Sequence, residues 1–496
     1  MKRSTTMNNG YIYSWEDGTD RGYSIGWNLK TLIQNGFDDY APPERLDELL
    51  ELIVQLVKES SKEWAGPITF NSFDNYILPF VEKEKPSKQG FFTLMEQFFQ
   101  KISETESEVT ISLDLVPRPD FEVTEKAQTI LDAVNGVIAD IYLSQMQRGG
   151  FEPYIAVNLY PETNWDSPAL EKWLELSYQY GQPTYQNFIT GTISPETLRP
   201  RNEKPDHEAL HMRLGGAIGN SENQTVTGYA CINLARIGSE AKDEKHFFTL
   251  LDEQVENASE TLESQRKLVE ARLDDENMPL TSQFIDNLDW SFSVIILVGM
   301  NEALETLIDA PLGHVAGKAV TYKVLEFLLR KIEDIQYRTG HLYSIESYPS
   351  ERPGSALLSE YEAEEAFLTP ATELKASHGD DLWDALEHQK KYHSMYTGGT
   401  LEQIYLEQGL SYNPELKLLI RRTIKNFGYN YLAITPRFSL CPEHGYIKGE
   451  EETCPICGKE TETYTRIDQK LTPVSSLSEP LKEAYRQRVY YDVKNE

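Results

Sequence analysis

The chain has 496 residues, a formal charge of −32, 40% hydrophobic and 11% aromatic residues, enough apolar material for one large core or two to three ordinary domains. The acidity repels duplex nucleic acid from the average surface, and no apolar run reaches membrane-spanning length, 292–300 being the longest. Met1-Lys2-Arg3 leads into polar residues rather than an apolar stretch, so no signal peptide is read, and four cysteines, three of them clustered late in the chain, suit a reducing cytoplasm.

Residues 1–20 are polar and read as a flexible N-terminal arm. Pro42-Pro43-Glu44 opens a helix through about residue 58, with Leu46, Leu49, Leu50, Ile53, Leu56 and Val57 on one stripe. A second amphipathic helix covers 91–102. The alternation over 109–116 predicts a strand, closed by Pro117 and Pro119. A long helix follows over 124–147, then a strand over 154–159 and a helix over 167–180 stopped by Gly181. A Gly-rich stretch over 210–228 precedes a short strand, 229–234. Helices are predicted over 245–273, 311–336, 383–392 and 416–426, and a buried strand or loop stem over 292–298. The most basic segment, 419–425, reads as one face of an ordinary helix. Strands and helices interleave throughout, which predicts an α/β protein with one continuous core.

The stretch 434–466 carries the strongest chemical signal. Cys441 and His444 are spaced Cys-x-x-His, and Cys454 and Cys457 are spaced Cys-x-x-Cys. Each pair has Pro after its first ligand and Gly after its second, the pattern of a tight turn. Two thiol-rich knuckles a short loop apart predict a closed, structural zinc site. The alternatives are a redox thiol pair and a chance cluster.

Several blocks resemble the anaerobic, class III ribonucleotide reductases, which are glycyl-radical enzymes. They are Trp64-Ala65-Gly66 with Phe70-Asn71-Ser72-Phe73-Asp74-Asn75-Tyr76, then Tyr180-Gly181-Gln182-Pro183 with Gln186-Asn187-Phe188-Ile189, then Gly215-Gly216 followed by Ile232-Asn233-Leu234-Ala235-Arg236-Ile237. Val298-Gly299-Met300-Asn301-Glu302-Ala303 resembles the tip of that family's finger loop. Thr339-Gly340-His341-Leu342-Tyr343 and Tyr396-Thr397-Gly398-Gly399-Thr400 match further blocks, and the zinc stretch resembles the family's C-terminal module. The resemblance implies a ten-stranded α/β barrel of two antiparallel five-stranded halves, threaded by the finger loop. It also implies a reductase-like barrel over 21–433 without an ATP-cone, a zinc module over 434–466 and a radical-loop tail over 467–496. A homodimer binding nucleotide effectors, and a radical-SAM activase as partner, are further implications.

The chemistry of that family needs a backbone radical on a glycine and a thiyl radical on a finger-loop cysteine, because ordinary acid–base chemistry cannot break the ribose C–H bond. Here Gln469 stands where the glycine is expected, within Arg466-Ile467-Asp468-Gln469-Lys470, and no glycine occurs after Gly458. No cysteine lies between Cys231 and Cys441, and none within 190–230. Cys231 itself reads as a small residue in a buried strand.

Beside the resemblance, Tyr396, Thr397, Gly398, Gly399 and Thr400 read either as a loop whose N–H groups approach phosphate or as a tight turn. Asn187, Asn301 and Glu302 are candidates for a nucleotide pocket, with structural hydrogen bonding the competing role. His207 and His211, four residues apart, read as solvent-exposed rather than as a second metal site. The expected function is a catalytically degenerate, reductase-like binding or regulatory protein with structural zinc. Its partners are expected to be a ribonucleoside triphosphate or deoxynucleotide, a second copy, and an active reductase or its activase. The alternatives are an active reductase whose radical is supplied in trans, and an enzyme reusing the pocket for non-radical chemistry such as phosphate-ester hydrolysis.

Overall fold

The computed structural model describes residues 6–7, 10–15, 20–121, 124–200, 220–360, 367–375, 381–407 and 413–492. Sixteen strands are assigned among them. β1 (Thr6–Met7) and β2 (Ile12–Ser14) come first. β3 (Ser24–Trp27), β4 (Ile68–Phe70), β5 (Val109–Leu113), β6 (Tyr154–Leu159) and β7 (Thr184–Asn187) follow. Then come β8 (Thr225–Asn233), β9 (Ser291–Val298), β10 (Leu342–Glu346), β11 (Leu401–Leu406) and β12 (Tyr431–Pro436), and last β13 (Phe438–Cys441), β14 (Gly445–Lys448), β15 (Glu462–Ile467) and β16 (Lys470–Pro473).

Strands β3 to β7 pair in sequence order and in parallel. So do β8, β9 and β10, and β11 with β12. The two sets run antiparallel where β3 meets β8 and where β7 meets β12. The last gap, between β10 and β11, is bridged in parallel at Ser347 and Thr400. The ring therefore closes: ten strands, two parallel halves of five, opposed to one another. Closure leaves no free edge. It also explains the residues of β9, Ser-Phe-Ser-Val-Ile-Ile-Leu-Val, all eight of which are buried, as expected for a parallel strand covered on both faces.

Helices between the strands wrap the barrel. Leu46–Glu63 uses the predicted stripe, with Leu46, Leu49, Ile53, Leu56 and Val57 buried, and the Glu48 carboxylate accepts from the Arg45 N–H at 3.2 Å at its start. The 31-residue helix Glu244–Asp274 is capped by Asp243, close to the predicted 245–273. The predicted flexible arm is partly pinned: Ile12, Tyr13 and Ser14 pair antiparallel with Ile232, Cys231 and Ala230 of β8.

Two further placements matter. The finger loop is not at 298–303. Those residues form the junction between β9 and the helix Met300–Ile308, with Gly299 at φ 79, where a Cβ would lie 2.8 Å from the backbone nitrogen of Ala235. The segment that joins the halves is instead 188–224, between β7 and β8. Its Ile193 and Leu198 pack with Val116, Tyr160, Leu401 and Tyr431 at the carboxyl ends of the first half. Residues 433–473 leave the barrel through β12 and build a separate antiparallel sheet in the order β14-β13-β15-β16.

Candidate functional site

The turn between β13 and β14 presents Cys441 and His444, and the loop before β15 presents Cys454 and Cys457. Cys441 Sγ lies 3.7 Å from His444 Nδ1 and 3.7 Å from Cys457 Sγ, and Cys454 Sγ lies 3.6 Å from His444 Nδ1. All four donor atoms fall within 4.8 Å of one another. A tetrahedral ion with Zn–S bonds of about 2.3 Å sets its ligands roughly 3.5–3.8 Å apart, so the donors already stand along the edges of that tetrahedron. Cys441 and Cys454 are 2% exposed, which keeps competing water off two of the ligands. The cluster can hold a metal, and its chemistry is compatible with zinc.

The same sheet aims its last hairpin at the barrel. The tip between β15 and β16 is Asp468-Gln469, with Asp468 at φ 53. Asp468 is buried and held on every side. Its carboxylate accepts from Arg352 at 2.8 Å, its N–H donates to Glu351 at 2.8 Å, and its carbonyl accepts from the Gln403 amide. Glu351 in turn pairs at 2.8 Å with Arg488, whose side chain is 7% exposed. Burial, and next the Glu351 carboxylate, push the Asp468 acid up to about 7, while Arg352 pulls it back.

Beside this tip lies a cavity of about 240 Å³, lined by Trp15, Tyr23, Tyr154, Tyr229, Tyr348 and Gln469 among others. It lies at the amino ends of β4 to β6, beside Tyr229 in the middle of β8 and Tyr348 just past β10. Trp15 meets Tyr23 edge-on at 4.9 Å, and Tyr23 meets Tyr229 edge-on at 5.0 Å. Lys470 pairs with Glu108 on one wall and Arg352 with Asp468 on another. Cys231, fully buried on β8, has its thiol pushed up by burial and is the one cysteine in the barrel strands.

At the other end of the barrel the connecting segment is fastened by charge. Glu222 accepts from Tyr76 and from Arg199, both at 2.9 Å, and Arg199 also binds Asp120 and Ser72. Burial pushes the Glu222 acid up to about 7.

The predicted pocket residues do not converge. Asn187 ends β7 and gives its amide to the Tyr429 carbonyl at 2.7 Å. Asn301 donates to the Glu373 carbonyl at 2.6 Å. Glu302, pushed up by burial, accepts from Thr369 at 2.7 Å and faces Lys375 at 3.4 Å. In the 396–400 loop, Gly398 N–H donates to Ile345, Gly399 N–H to Tyr396 and Thr400 N–H to Asn430, while Thr397 Oγ1 accepts from Ile345 N–H. The loop spends these groups closing β10 onto β11, not cradling a phosphate. Gly398 is required there, since a Cβ would sit 2.4 Å from Glu346 Cγ. His207, His211 and Gly215-Gly216 lie outside the described residues. The sequence reading missed Arg352, Glu351, Arg488 and the tyrosines of the cavity, which share no local spacing.

A sequence model of the family described as anaerobic ribonucleoside-triphosphate reductase matches residues 2–491. Among solved structures, one described as an anaerobic ribonucleotide reductase superposes with a TM-score of 0.78 at 18% identity, covering 98% of this chain and 83% of the other. The Thermotoga maritima anaerobic ribonucleotide reductase with glycerol in the active site gives 0.78 at 18%, covering 96% and 84%. The same enzyme in complex with dATP and CTP gives 0.75 at 17%, covering 96% and 84%. Comparison with curated protein sequences yields no match. Closed ten-stranded barrel, appended thiol cluster and a family match running almost end to end agree: the chain belongs to the anaerobic ribonucleoside-triphosphate reductase family.

Proposed function

We propose that this chain is a radical-free member of its family, a cytoplasmic binding or regulatory protein that keeps the barrel and a structural zinc but performs no ribonucleotide reduction. The observation that carries this reading is the hairpin tip. Asp468-Gln469 stands where a radical glycine is needed, and it is anchored by Arg352, Glu351 and Gln403. A side chain at that carbon removes the planar geometry that spreads a backbone radical over both neighbouring amides. The anchoring also opposes withdrawal of the tip toward an activating enzyme. The second support is compositional: the segment joining the two halves, 188–224, contains no cysteine, so no thiol faces the ribose from it.

Zinc, held by Cys441, His444, Cys454 and Cys457, would cross-link the two knuckles and so fix the base of the hairpin. A second copy of this chain, or an active reductase or its activase, is the proposed macromolecular partner, and a nucleotide or nucleoside the small one. The test is to incubate the protein anaerobically with a family activase, S-adenosylmethionine and a reductant. No glycyl electron-spin signal and no deoxyribonucleotide are expected. Appearance of either one refutes the proposal.

A further inference from the structure

We propose that the cavity beside the tail hairpin is a binding site for an uncharged, planar heteroaromatic molecule of the class of an unphosphorylated nucleobase or nucleoside. The proposal rests on the binding reading given above for the barrel, not on the loss of radical chemistry. Three observations point to this class.

The first is size. At about 240 Å³ the cavity falls just under the ~300–1,000 Å³ usual for drug-sized ligands, so it suits a base or nucleoside better than a triphosphate.

The second is the wall. Trp15, Tyr23 and Tyr229 form one continuous edge-to-face surface, with Tyr154 and Tyr348 also lining the space. Among the described residues, the buried Gln469 Nε2 has no hydrogen-bond partner, and the half-buried Tyr23, Tyr154, Tyr229 and Tyr348 line the same space. Buried polar groups are normally satisfied. An apolar guest would leave the Gln469 amide unsatisfied and cut the tyrosine hydroxyls off from water, whereas a heteroaromatic edge with donors and acceptors would serve both while its faces stack on the rings.

The third is charge. The cations on the wall, Arg352 and Lys470, are each committed to a carboxylate, Asp468 and Glu108. The lining is therefore neutral and offers nothing extra to a phosphate or to an amine. Gly66, the glycine on this wall, donates its N–H to the Tyr23 carbonyl, so no glycine N–H remains there to hold an anion.

The experiment is isothermal titration calorimetry on the full-length protein with adenosine, guanosine, cytidine, uridine, ATP and inorganic phosphate. At least one nucleoside should bind, and ATP and phosphate should bind more weakly than it or not at all. Tyr348→Phe and Tyr154→Phe, which keep the rings and the fold, should each weaken that nucleoside about 2- to 10-fold by removing one hydrogen bond. Thr110→Trp, which fills the cavity from β5, should abolish binding while leaving the circular dichroism spectrum unchanged. The proposal is overturned if no nucleoside binds at about 1 mM, if ATP or phosphate binds more tightly than every nucleoside, or if both tyrosine variants leave nucleoside affinity unchanged. A glycyl radical signal would refute the radical-free reading and leave these titrations untouched, so the two failures are distinguishable.

Discussion

Replacing Glu222 by Gln tests how the connecting segment is fastened to the barrel. Glu222 is 2% exposed, its Oε1 accepts from Tyr76 and Arg199, and its Oε2 has no partner among the described residues. Burial is the largest influence on it, and lifts the acid from 4.5 to about 7 against the opposing pull of Arg199. The folded protein thus holds this proton more tightly than the unfolded chain does. Its contribution to stability is complete below the unfolded value and is lost as the pH rises through about 7. Linkage across that window makes the loss between pH 6 and pH 8 about 1.3 kcal/mol. With an unfolding entropy of about 2.1 cal/mol/K per residue, a chain of this length shifts by roughly 1 °C for that change. Gln copies the shape of the protonated acid and cannot ionise. The melting-temperature advantage of Glu222→Gln over the parent should grow by about 1 °C between pH 6 and pH 8, on top of what it has already gained above the unfolded value of 4.5. Other titrating groups, including the buried His388 and His393, act equally in both proteins and cancel in the difference. A difference curve flat from pH 6 to pH 8 would show instead that Glu222 ionises like an exposed carboxylate and that its burial does not hold the proton.

Three further outcomes are expected. Purified protein should contain equimolar zinc by plasma emission, and Cys454→Ser should lose it together with protease resistance across 438–473, because four ligands hold loops that have little core of their own. Arg352→Met should cost about 2 kcal/mol, less than for a fully buried pair because the Arg352 side chain is 37% exposed, and should speed amide exchange at 467–471. Gln469→Gly should not restore deoxyribonucleotide formation with an activase, assayed by chromatography, because no cysteine stands in 188–224.

What could be read from the sequence was whatever is local. The knuckles Cys441 to His444 and Cys454 to Cys457 carry their geometry in their spacing, and the structure sets the four side chains within 4.8 Å. Helix periodicity located Ala127–Met146 and Glu244–Asp274 to within a few residues. The strand expected at 229–234 runs from Thr225: Gly228 obscured the alternation, and the register shifts beside it in the pairing with β9. The finger loop was misplaced because Gly299-Met300-Asn301 reads as a turn in either setting, and only the pairing of β9 between β8 and β10 shows that a helix begins there. The cavity was invisible for a stronger reason. Tyr154 begins β6 in the first half of the barrel, Tyr348 follows the last of the parallel strands β8 to β10, and Gln469 arrives on a hairpin from a different sheet. Only closure of the ring brings them together.

That same closure decides what the tail can do. Asp468 holds φ 53, a left-handed conformation that disfavours most L-residues by about 1–2 kcal/mol and that Asp tolerates better than most. Such a conformation persists where the surroundings over-determine it, and here they do: side chain, N–H and carbonyl are each engaged by a different partner, Arg352, Glu351 and Gln403. Two of these belong to the helix Glu351–Glu360 and the third to β11, so the tip is tied to both sides of the β10–β11 gap. A loop that must leave the barrel to be activated needs contacts it can give up cheaply. Here withdrawal would leave Arg352 without its carboxylate partner, while Glu351 keeps Arg488, and would unseal the tyrosine-lined cavity in the same step. The hairpin is therefore a fixed wall of that cavity, as the proposed binding role requires.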